Sequence, residues 1–172
     1  MNNTNLQWDV PEKICRALPA GVFMTTKEEK VNTMIIGWGQ YGVMWAKKVF
    51  MAPVRQTRFT HQQIPLGGSF TVSVPAEGMK AAVGFCGKES GKHHEDKLAA
   101  CGLATVPARV VDTPVIAGCP LHLECVIRGT FDMDLGQLSA AERTQWYAGT
   151  EEYEGNFHTL VFGEIVAAYE EK

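Results

Sequence analysis

The sequence predicts a mainly β protein, an antiparallel barrel with helices at its rim. Two observations support this fold class: segments of β type outnumber helical ones, and they occur in meander-like groups towards both ends of the chain. The chain has 172 residues, 45% of them apolar, and no low-complexity or Pro/Ser-rich linker divides it. We therefore predict a single domain over residues 1–172.

The first group of strands opens with a hairpin, in which β-like runs at residues 21–26 and 31–38 flank the charged turn KEEK. GVMWA and KVFMAPV predict two more strands, and Pro53 is expected near a strand end because proline cannot donate to a central ladder. RFTHQQI predicts one or two helical turns. In SFTVSVP apolar and hydroxyl side chains alternate, which predicts a strand buried on one face.

The middle of the chain is predicted to be helical. GMKAAVGFCGK repeats apolar side chains at helical spacing, and HEDKLAACG carries acids in its first turn and ends on Gly102. The chain then returns to strands in ARVVDTPVIAG, LHLECVIRGTFDM and HTLVFGEIVAAYEE. Before the last of these, SAAERTQWYAG predicts a surface helix with Ser139 as N-cap and Glu142 completing a capping box.

The charge pattern indicates a phosphorylated ligand. The net charge of −3 argues against a nucleic-acid partner. Residues 31–76 contain no Asp or Glu but include four cations, Lys47, Lys48, Arg55 and Arg58. A stretch of this kind is typical of a surface that faces phosphate, although chance in a buried β-rich region is the alternative. The hydroxyls of VRQTRFT would add donors to the two guanidinium groups.

Two glycine motifs resemble phosphate loops but lack their context. Gly37-x-Gly39-x-x-Gly42 has the spacing of a dinucleotide fingerprint, yet no helix follows it and the first acid after it is Glu77. GKESGKHH is one residue short of a P-loop, and His93 stands where a hydroxyl belongs. We therefore predict neither a Rossmann domain nor a nucleoside triphosphatase.

The SGK segment of the second motif still offers donors to phosphate. A hydroxyl, free backbone N–H groups and an ammonium would precede the predicted HEDKLAA helix. An ordinary helix N-cap is an equally good interpretation of this segment taken alone.

The cysteines and the N-terminus predict a cytoplasmic protein without disulfides or metal. The five cysteines are Cys15, Cys86, Cys101, Cys119 and Cys125. None has a second cysteine at CxxC spacing, so they are interpreted as reduced thiols, and Cys15, Cys86 and Cys101 as small core hydrophobes. In Cys119-x-x-His122-x-x-Cys125 the strand alternation sends His122 and Cys125 to opposite faces. No leader or apolar run long enough for a bilayer is present, so no membrane partner is expected.

Five motifs follow one another along the chain: VNTMIIGWGQYGVMW, VFMAPVRQTRFTHQQI, FTVSVP, GKESGKHHEDKLAACGL and FHTLVFGEI. In this order they resemble the flavin reductase-like family of FMN-binding split barrels, especially its flavoredoxin-like members. The resemblance extends from about Gly21 to Ile165. It implies an antiparallel Greek-key split β-barrel and a homodimer with FMN at the subunit interface. It also implies hydride transfer to flavin from NADH or NADPH. The alternatives are an electron carrier reduced by a redox protein partner and a binding module without flavin.

The resemblance also assigns site residues by position. Residues 32–35 and Trp38 correspond to the strand beside the isoalloxazine ring and ribityl chain, and residues 53–55 to the strand that frames the ring. The implied cofactor-binding residues are Asn32, Thr33, Met34, Ile35, Trp38, Pro53, Val54, Arg55, Arg58, Thr60, Ser90, Gly91, Lys92 and Lys97. The last six correspond to the phosphate site. Members often show SGRD.DKF, and the departure here leaves open whether Lys92 or Lys97 contacts phosphate.

His158 corresponds to the family histidine near the docking site of nicotinamide, and the resemblance implies that it is the catalytic residue. Its side chain has an ordinary pKa near neutrality and could orient the nicotinamide or move a proton, while a structural role is equally compatible. The residue types also suit a flavin, because Trp38, Met34 and Phe162 could form an apolar slot. Packing in the barrel core is the alternative for Met34 and Phe162. Hydride transfer needs neither a nucleophile nor a metal.

Overall fold

The structure is a computed structural model that describes residues 7–148 and 157–171. Its strands are β1 (Val22–Lys27), β2 (Val31–Ile36), β3 (Gln40–Met44), β4 (Lys47–Arg55), β5 (Ser69–Val74), β6 (Thr105–Val106), β7 (Val115–Ile116), β8 (Leu121–Asp132) and β9 (His158–Glu170). The α-helices are α1 (Val10–Ala17), α2 (Lys80–Lys88), α3 (Lys97–Ala100) and α4 (Ala140–Tyr147). Short 3₁₀ turns cover Leu18–Ala20, Phe59–Gln63, Gly91–His93 and Leu135–Gln137.

One antiparallel sheet dominates the fold. Its seven strands are arranged in the order β2-β1-β5-β8-β9-β4-β3, and β6 pairs with β7 in a small separate ribbon. The sheet is not closed: β2 and β3 form its edges, and β2 approaches β4 without pairing with it. The antiparallel β architecture predicted from the sequence is therefore confirmed, with an opening between β2 and β4.

Two apolar clusters hold the sheet and its helices together. The larger lies inside the curved sheet and includes Phe50, Phe70 and Leu123, and α1 packs against it through Val10 and Ile14. The second cluster packs the outer face of the first hairpin against α2 and α3. Burial of these side chains supplies the main driving force for folding. The second cluster also fixes the segment between α2 and α3 beside β2.

Strand β5 is buried on both faces, whereas its alternating sequence predicts burial on one. Phe70 and Val72 face the larger cluster, but Thr71 and Ser73 are also inaccessible to solvent. The hydroxyl of Thr71 donates to the carbonyl of Pro114 at 2.7 Å. The one-face prediction is wrong because residues of a later segment cover the polar face and satisfy its hydroxyls.

That later segment, ARVVDTPVIAG, is predicted as a strand but is extended only at β7, which pairs with β6. The carboxylate of Glu124 accepts hydrogen bonds from the backbone N–H groups of Arg109 (2.7 Å), Val110 (2.7 Å) and Val111 (3.1 Å). A buried carboxylate on β8 therefore takes the donors that a neighbouring strand would otherwise satisfy. The strand prediction is wrong for residues 108–114.

The helix predicted in HEDKLAACG is shorter than expected. It spans four residues, and the Asp96 side chain caps it by accepting from the N–H groups of Leu98 and Ala99, each at 3.0 Å. Ser90 instead caps the single 3₁₀ turn that follows it. The expectation that a helix N-terminus lies at the SGK segment is therefore wrong, and any anion binding there depends on side chains and loop N–H groups.

The predicted strand and cap patterns elsewhere are confirmed. The two hairpins β1–β2 and β3–β4 form, and Gly42 lies inside β3 rather than opening a helix. Ser139 caps α4, although the Glu142 carboxylate bonds the Ser139 hydroxyl rather than its backbone N–H. On β8, His122 contacts Ser73 while Cys125 faces the larger cluster, so the two lie on opposite faces. Within the described ranges no helix is both long and apolar enough to cross a membrane.

Candidate functional site

A cavity of about 280 Å³ lies in the opening between β2 and β4. One wall is formed by residues 34–38, at and beyond the end of β2, and the opposite wall by Pro53 and Arg55 of β4. Strand β3 pairs with β4 only as far as Met51, so the last residues of β4 are left uncovered on that side. Pro53, which lacks a backbone N–H to donate, lies in this uncovered part of β4 and forms a wall of the cavity.

A smaller cavity of about 50 Å³ adjoins the first and shares Met34, Ile35 and Arg58 with it. Its other walls come from four segments: Asn32 on β2, the turn that contains Thr60, the end of α2 with the loop after it, and Lys97 on α3. We call this smaller cavity the polar cradle. Together the two cavities form one elongated site, with Trp38, Pro53 and Trp146 at one end and Asn32, Thr60 and Ser90 at the other.

The polar cradle contains an acceptor without a partner. The amide nitrogen of Asn32 donates to the hydroxyl of Thr60 at 2.9 Å, which orients the side chain. Its other atom, Oδ1, is buried and has no hydrogen-bond partner among the described residues. The backbone of Gly91 closes over Asn32, since a Cβ at Gly91 would lie 2.3 Å from Oδ1. Buried acceptors are nearly always satisfied, so Oδ1 is placed to receive a donor from a ligand.

The side chain of Lys97 connects two walls of the cradle, β2 and α2, by hydrogen bonds. Its ammonium, whose residue is only 4% exposed, donates to the carbonyl oxygens of Thr33 (2.8 Å) and Cys86 (3.1 Å). Burial lowers the pKa of this lysine, with nearby sulfurs opposing the shift. Lys97 lines the cradle, whereas Lys92 is exposed and is not among its lining residues.

The two arginines have different surroundings. Arg55 donates from Nη2 to the carbonyl oxygen of Trp146 at 3.0 Å, and its guanidinium lies 5.1 Å from the ring centre of Tyr147. Arg58 lines both cavities. Arg58 therefore contributes positive charge where the two cavities meet.

Helix α4 covers the larger cavity with an aromatic side chain. The Trp38 ring meets the Trp146 ring edge-on at 5.0 Å and lies 5.3 Å from the ring of His158. Trp146 is a wall residue that the sequence analysis missed, although an aromatic pair at the end of a predicted surface helix was a visible signal. Phe162, expected in the slot, instead packs against Trp45 and Phe131 on another part of the sheet.

The structure brings together most of the predicted site residues. The two cavities are lined by Asn32, Met34, Ile35, Trp38, Pro53, Arg55, Arg58, Thr60, Ser90, Gly91, Lys97 and His158. Thr33 and Val54 are fully buried; the Thr33 hydroxyl donates to the Met24 carbonyl at 3.2 Å, and Val54 belongs to the larger core cluster. These two residues would reach a ligand only through their backbone.

His158 is a buried and neutral histidine at the wall of the larger cavity. It is 7% exposed, and its Nδ1 lies 2.7 Å from the hydroxyl of Tyr147, which holds the ring in place. Burial, together with the charges of Arg55 and Arg58, lowers the pKa of His158 from 6.5 to about 4. At neutral pH the side chain therefore acts through its neutral ring, not as the readily protonated group that its ordinary pKa suggests.

The depressed pKa of His158 predicts a pH-dependent stability. Because the folded pKa is about 4 and the unfolded value 6.5, the unfolded chain binds the proton first as the pH falls below 6.5. The contribution of the neutral His158 to the free energy of unfolding is therefore present above pH 6.5 and is lost as the pH falls towards 4. Between about pH 7 and about pH 4.5, the free energy of unfolding of wild type should fall by about 2 kcal/mol more than that of His158→Gln, as measured by urea unfolding. His93→Gln, at an exposed histidine, should behave like wild type; equal losses in all three proteins would contradict the assignment.

The chain is similar to known proteins in both sequence and structure. Residues 15–172 match the family model described as "Flavin reductase like domain". Among solved structures, flavoredoxin from Methanosarcina acetivorans superimposes with a TM-score of 0.66 and 23% identity over 88% of this chain and 68% of that one. An NADH:FAD oxidoreductase from Streptomyces globisporus gives a TM-score of 0.62 and 20% identity over 88% of this chain and 75% of that one. These similarities confirm the predicted split-barrel fold.

A curated relative, an uncharacterized protein of Archaeoglobus fulgidus, is 27% identical over 138 residues. The match covers 80% of this chain but spans only 64% of the length of that relative.

Proposed function

Because this chain belongs to the flavin reductase-like domain family, we propose that it binds FMN and accepts hydride from a reduced nicotinamide, NADH or NADPH. The observation that carries the proposal is the elongated site, in which a cavity of about 280 Å³ walled by Trp38 and Pro53 joins a polar cradle at Arg58. Such a site suits a ligand with a flat apolar ring at one end and a phosphate at the other.

The residues present fit the parts of FMN. The ring would lie against residues 34–38, where the outer edge of β2 has no neighbouring strand and its backbone groups can bond a pyrimidine ring. The partnerless Oδ1 of Asn32 needs a donor, and a ribityl hydroxyl is a donor whereas an ionised phosphate is not. Arg58, the Ser90 hydroxyl and the Gly91 backbone would hold the phosphate.

When bound, FMN supplies the hydride acceptor, and the protein supplies position and charge. Trp38 and Trp146 line the larger cavity and would pack against the ring. Arg55 and Arg58 create the positive potential that disfavours protonation of His158. The same potential favours negative charge in this cavity, which is the charge that accumulates as a flavin is reduced. His158 would orient the nicotinamide by contact with its neutral ring.

The similar proteins support a flavin but leave two electron sources open. Their printed names include flavoredoxins, FMN-binding proteins and an NADH:FAD oxidoreductase. We favour the nicotinamide because the cationic cavity would also attract its phosphates. Reduction by a redox protein partner is the alternative. In either case we place the reaction in the cytoplasm, where reduced nicotinamides are available.

We further propose that two copies of the chain associate through an exposed apolar face. Val43 (74% exposed), Trp45 (48%) and Phe131 (51%) present apolar surface on β3, on the turn after it and on β8. Trp45 and Phe131 both pack edge-on against Phe162, which makes this a continuous aromatic face. Exposed apolar patches of this kind mark protein interfaces in soluble proteins. Sedimentation equilibrium of the purified protein should give the mass of a dimer.

The function is tested by a spectrum followed by rapid mixing. Freshly purified protein, or protein titrated with FMN, should show the visible absorbance of bound flavin. Anaerobic mixing with excess NADH or NADPH should bleach that absorbance within seconds. A bound flavin that dithionite bleaches but neither nicotinamide does would favour the protein-reduced carrier. Protein that takes up no FMN at all would contradict the proposed function.

The same measurement assigns the role of His158. His158→Ala should slow bleaching by NADH or NADPH by at least about tenfold, the usual minimum for a positioning contact, while FMN binds within about tenfold of wild type. An unchanged rate would reduce His158 to a structural role. His93→Ala, at an exposed histidine, is the matched control.

A further inference from the structure

Two cysteines far apart in sequence lie side by side next to the polar cradle. Cys86 belongs to α2 and Cys101 follows α3, yet their Sγ atoms are 3.6 Å apart. The sequence analysis interprets both as isolated core hydrophobes because they lack CxxC spacing. The second apolar cluster, which packs α2 and α3 on the first hairpin, brings them together instead.

The two sulfurs are not equivalent. Cys86 is 2% exposed, whereas Cys101 is partly exposed and can be reached from solvent. The Cys101 thiol donates to the carbonyl of Leu98 at 3.3 Å, so the hydrogen between the two sulfurs belongs to Cys86 and points at Cys101. Cys101 is thus the sulfur that a small disulfide can meet first, with Cys86 directly behind it. Burial raises the pKa of Cys86 to about 12, which keeps this thiol protonated.

We propose that Cys86 and Cys101 form a reversible disulfide by exchange with a low-molecular-weight disulfide. The Cys101 thiolate attacks one sulfur of the small disulfide, forms a mixed disulfide and releases one thiolate. The Cys86 sulfur then attacks Cys101, the mixed disulfide breaks, and the second small thiol leaves with the proton of Cys86. Two protein thiols are oxidised and one small disulfide is reduced to two thiols.

The pair is close enough for this step. A disulfide bond is about 2.05 Å long, so the sulfurs must approach by about 1.6 Å. Cys101 lies beyond the last residue of the four-residue α3, where the chain turns at Gly102 with φ of +72°. Rotation of the Cys101 side chain at this helix end can supply the movement without disturbing α2.

The disulfide would close a loop that contains one wall of the cradle. Ser90, Gly91 and Lys97 all lie between Cys86 and Cys101, and the Cys86 carbonyl already accepts from Lys97. Closing a loop of this length restricts the unfolded chain and pre-organises the residues inside it. This expectation rests on the proposed function: the oxidised protein should bind FMN at least about threefold more tightly than the reduced protein, while the affinity for riboflavin stays the same.

The disulfide itself is tested without flavin. The full-length native protein is incubated with glutathione disulfide, alkylated and digested, and the peptides are mapped by mass spectrometry. We expect a peptide pair linked through Cys86 and Cys101, reversal by dithiothreitol, and a rise of about 5 to 10 °C in thermal midpoint. Two unmodified thiols at these positions, or a persistent mixed disulfide on Cys101, would overturn the proposal.

Variants and ligand titrations separate the remaining outcomes. Cys86→Ser should leave glutathione attached to Cys101, and Cys15→Ser should form the disulfide as wild type does. Should a serine variant fail to fold, the wild-type peptide map still decides. FMN and riboflavin titrations of both redox forms follow. A disulfide in a protein that binds no flavin would refute the proposed function alone; FMN binding without a disulfide would refute only this inference.

Discussion

Replacing Arg58 with alanine is expected to weaken FMN binding by about 30- to 1000-fold while riboflavin binding stays within about threefold of wild type. Arg58 lies where the two cavities meet, and only FMN carries a phosphate that would reach it. Losing a charge-assisted bond to a partly desolvated phosphate costs about 2 to 4 kcal/mol. Isothermal titration of both flavins measures the two losses directly.

Arg16→Ala provides the matched control for Arg58→Ala. Arg16 lies on α1, pairs with Glu12 at 2.6 Å and lines neither cavity, so its loss should change neither affinity. Comparable losses of FMN and riboflavin affinity in Arg58→Ala would show that the phosphate lies elsewhere. In that case Lys97 would be the next position to test.

A second large effect is expected for Glu124→Gln, which should lower the free energy of unfolding by about 3 kcal/mol. The carboxylate of Glu124 is fully buried and accepts from three backbone N–H groups and from the Tyr169 hydroxyl at 2.9 Å. A glutamine side chain has one oxygen and one NH₂ group. Its NH₂ group would face N–H donors and could not accept their hydrogen bonds. These donors, at residues 109–111, then lose a charged acceptor in a site that water does not reach.

Urea unfolding monitored by circular dichroism tests this effect. Glu28→Gln is the control, because Glu28 is exposed in the turn between β1 and β2 and its substitution should change stability by less than about 0.5 kcal/mol. If Glu124→Gln unfolds at the same denaturant concentration as wild type, the carboxylate does not hold residues 108–114 in place.

Local patterns in the sequence predicted most of the fold. The hairpin around KEEK, the long strands β8 and β9 and the cap of α4 by Ser139 all depend on residues within a few positions of each other. Periodicity and cap chemistry report such local preferences directly. The fold class followed because these elements leave few ways to arrange an antiparallel sheet.

The failures arise where a distant residue competes with local preference. Residues 108–114 have the composition of a strand, but Glu124 on another strand accepts hydrogen bonds from three of their backbone N–H groups. Ser73 sits at a position that alternation exposes, yet His122 and the backbone of Ile116 bond its hydroxyl. No window of the sequence contains these partners, so periodicity alone cannot find them.

The candidate site divides in the same way. The resemblance placed Asn32, Arg58 and His158 at one site, and the structure brings them to adjoining cavities. It did not indicate Trp146 as a wall or Cys86 beside Cys101, because both depend on how helices pack on the sheet. The partnerless oxygen of Asn32 is likewise visible only in three dimensions.

The unpaired outer edge of β2 has a consequence for divergence within this family. A strand edge offers the same sequence of amide hydrogens and carbonyl oxygens whatever side chains it carries, so a ligand bound there is read through the main chain. Side chains along such an edge are free to drift without loss of recognition.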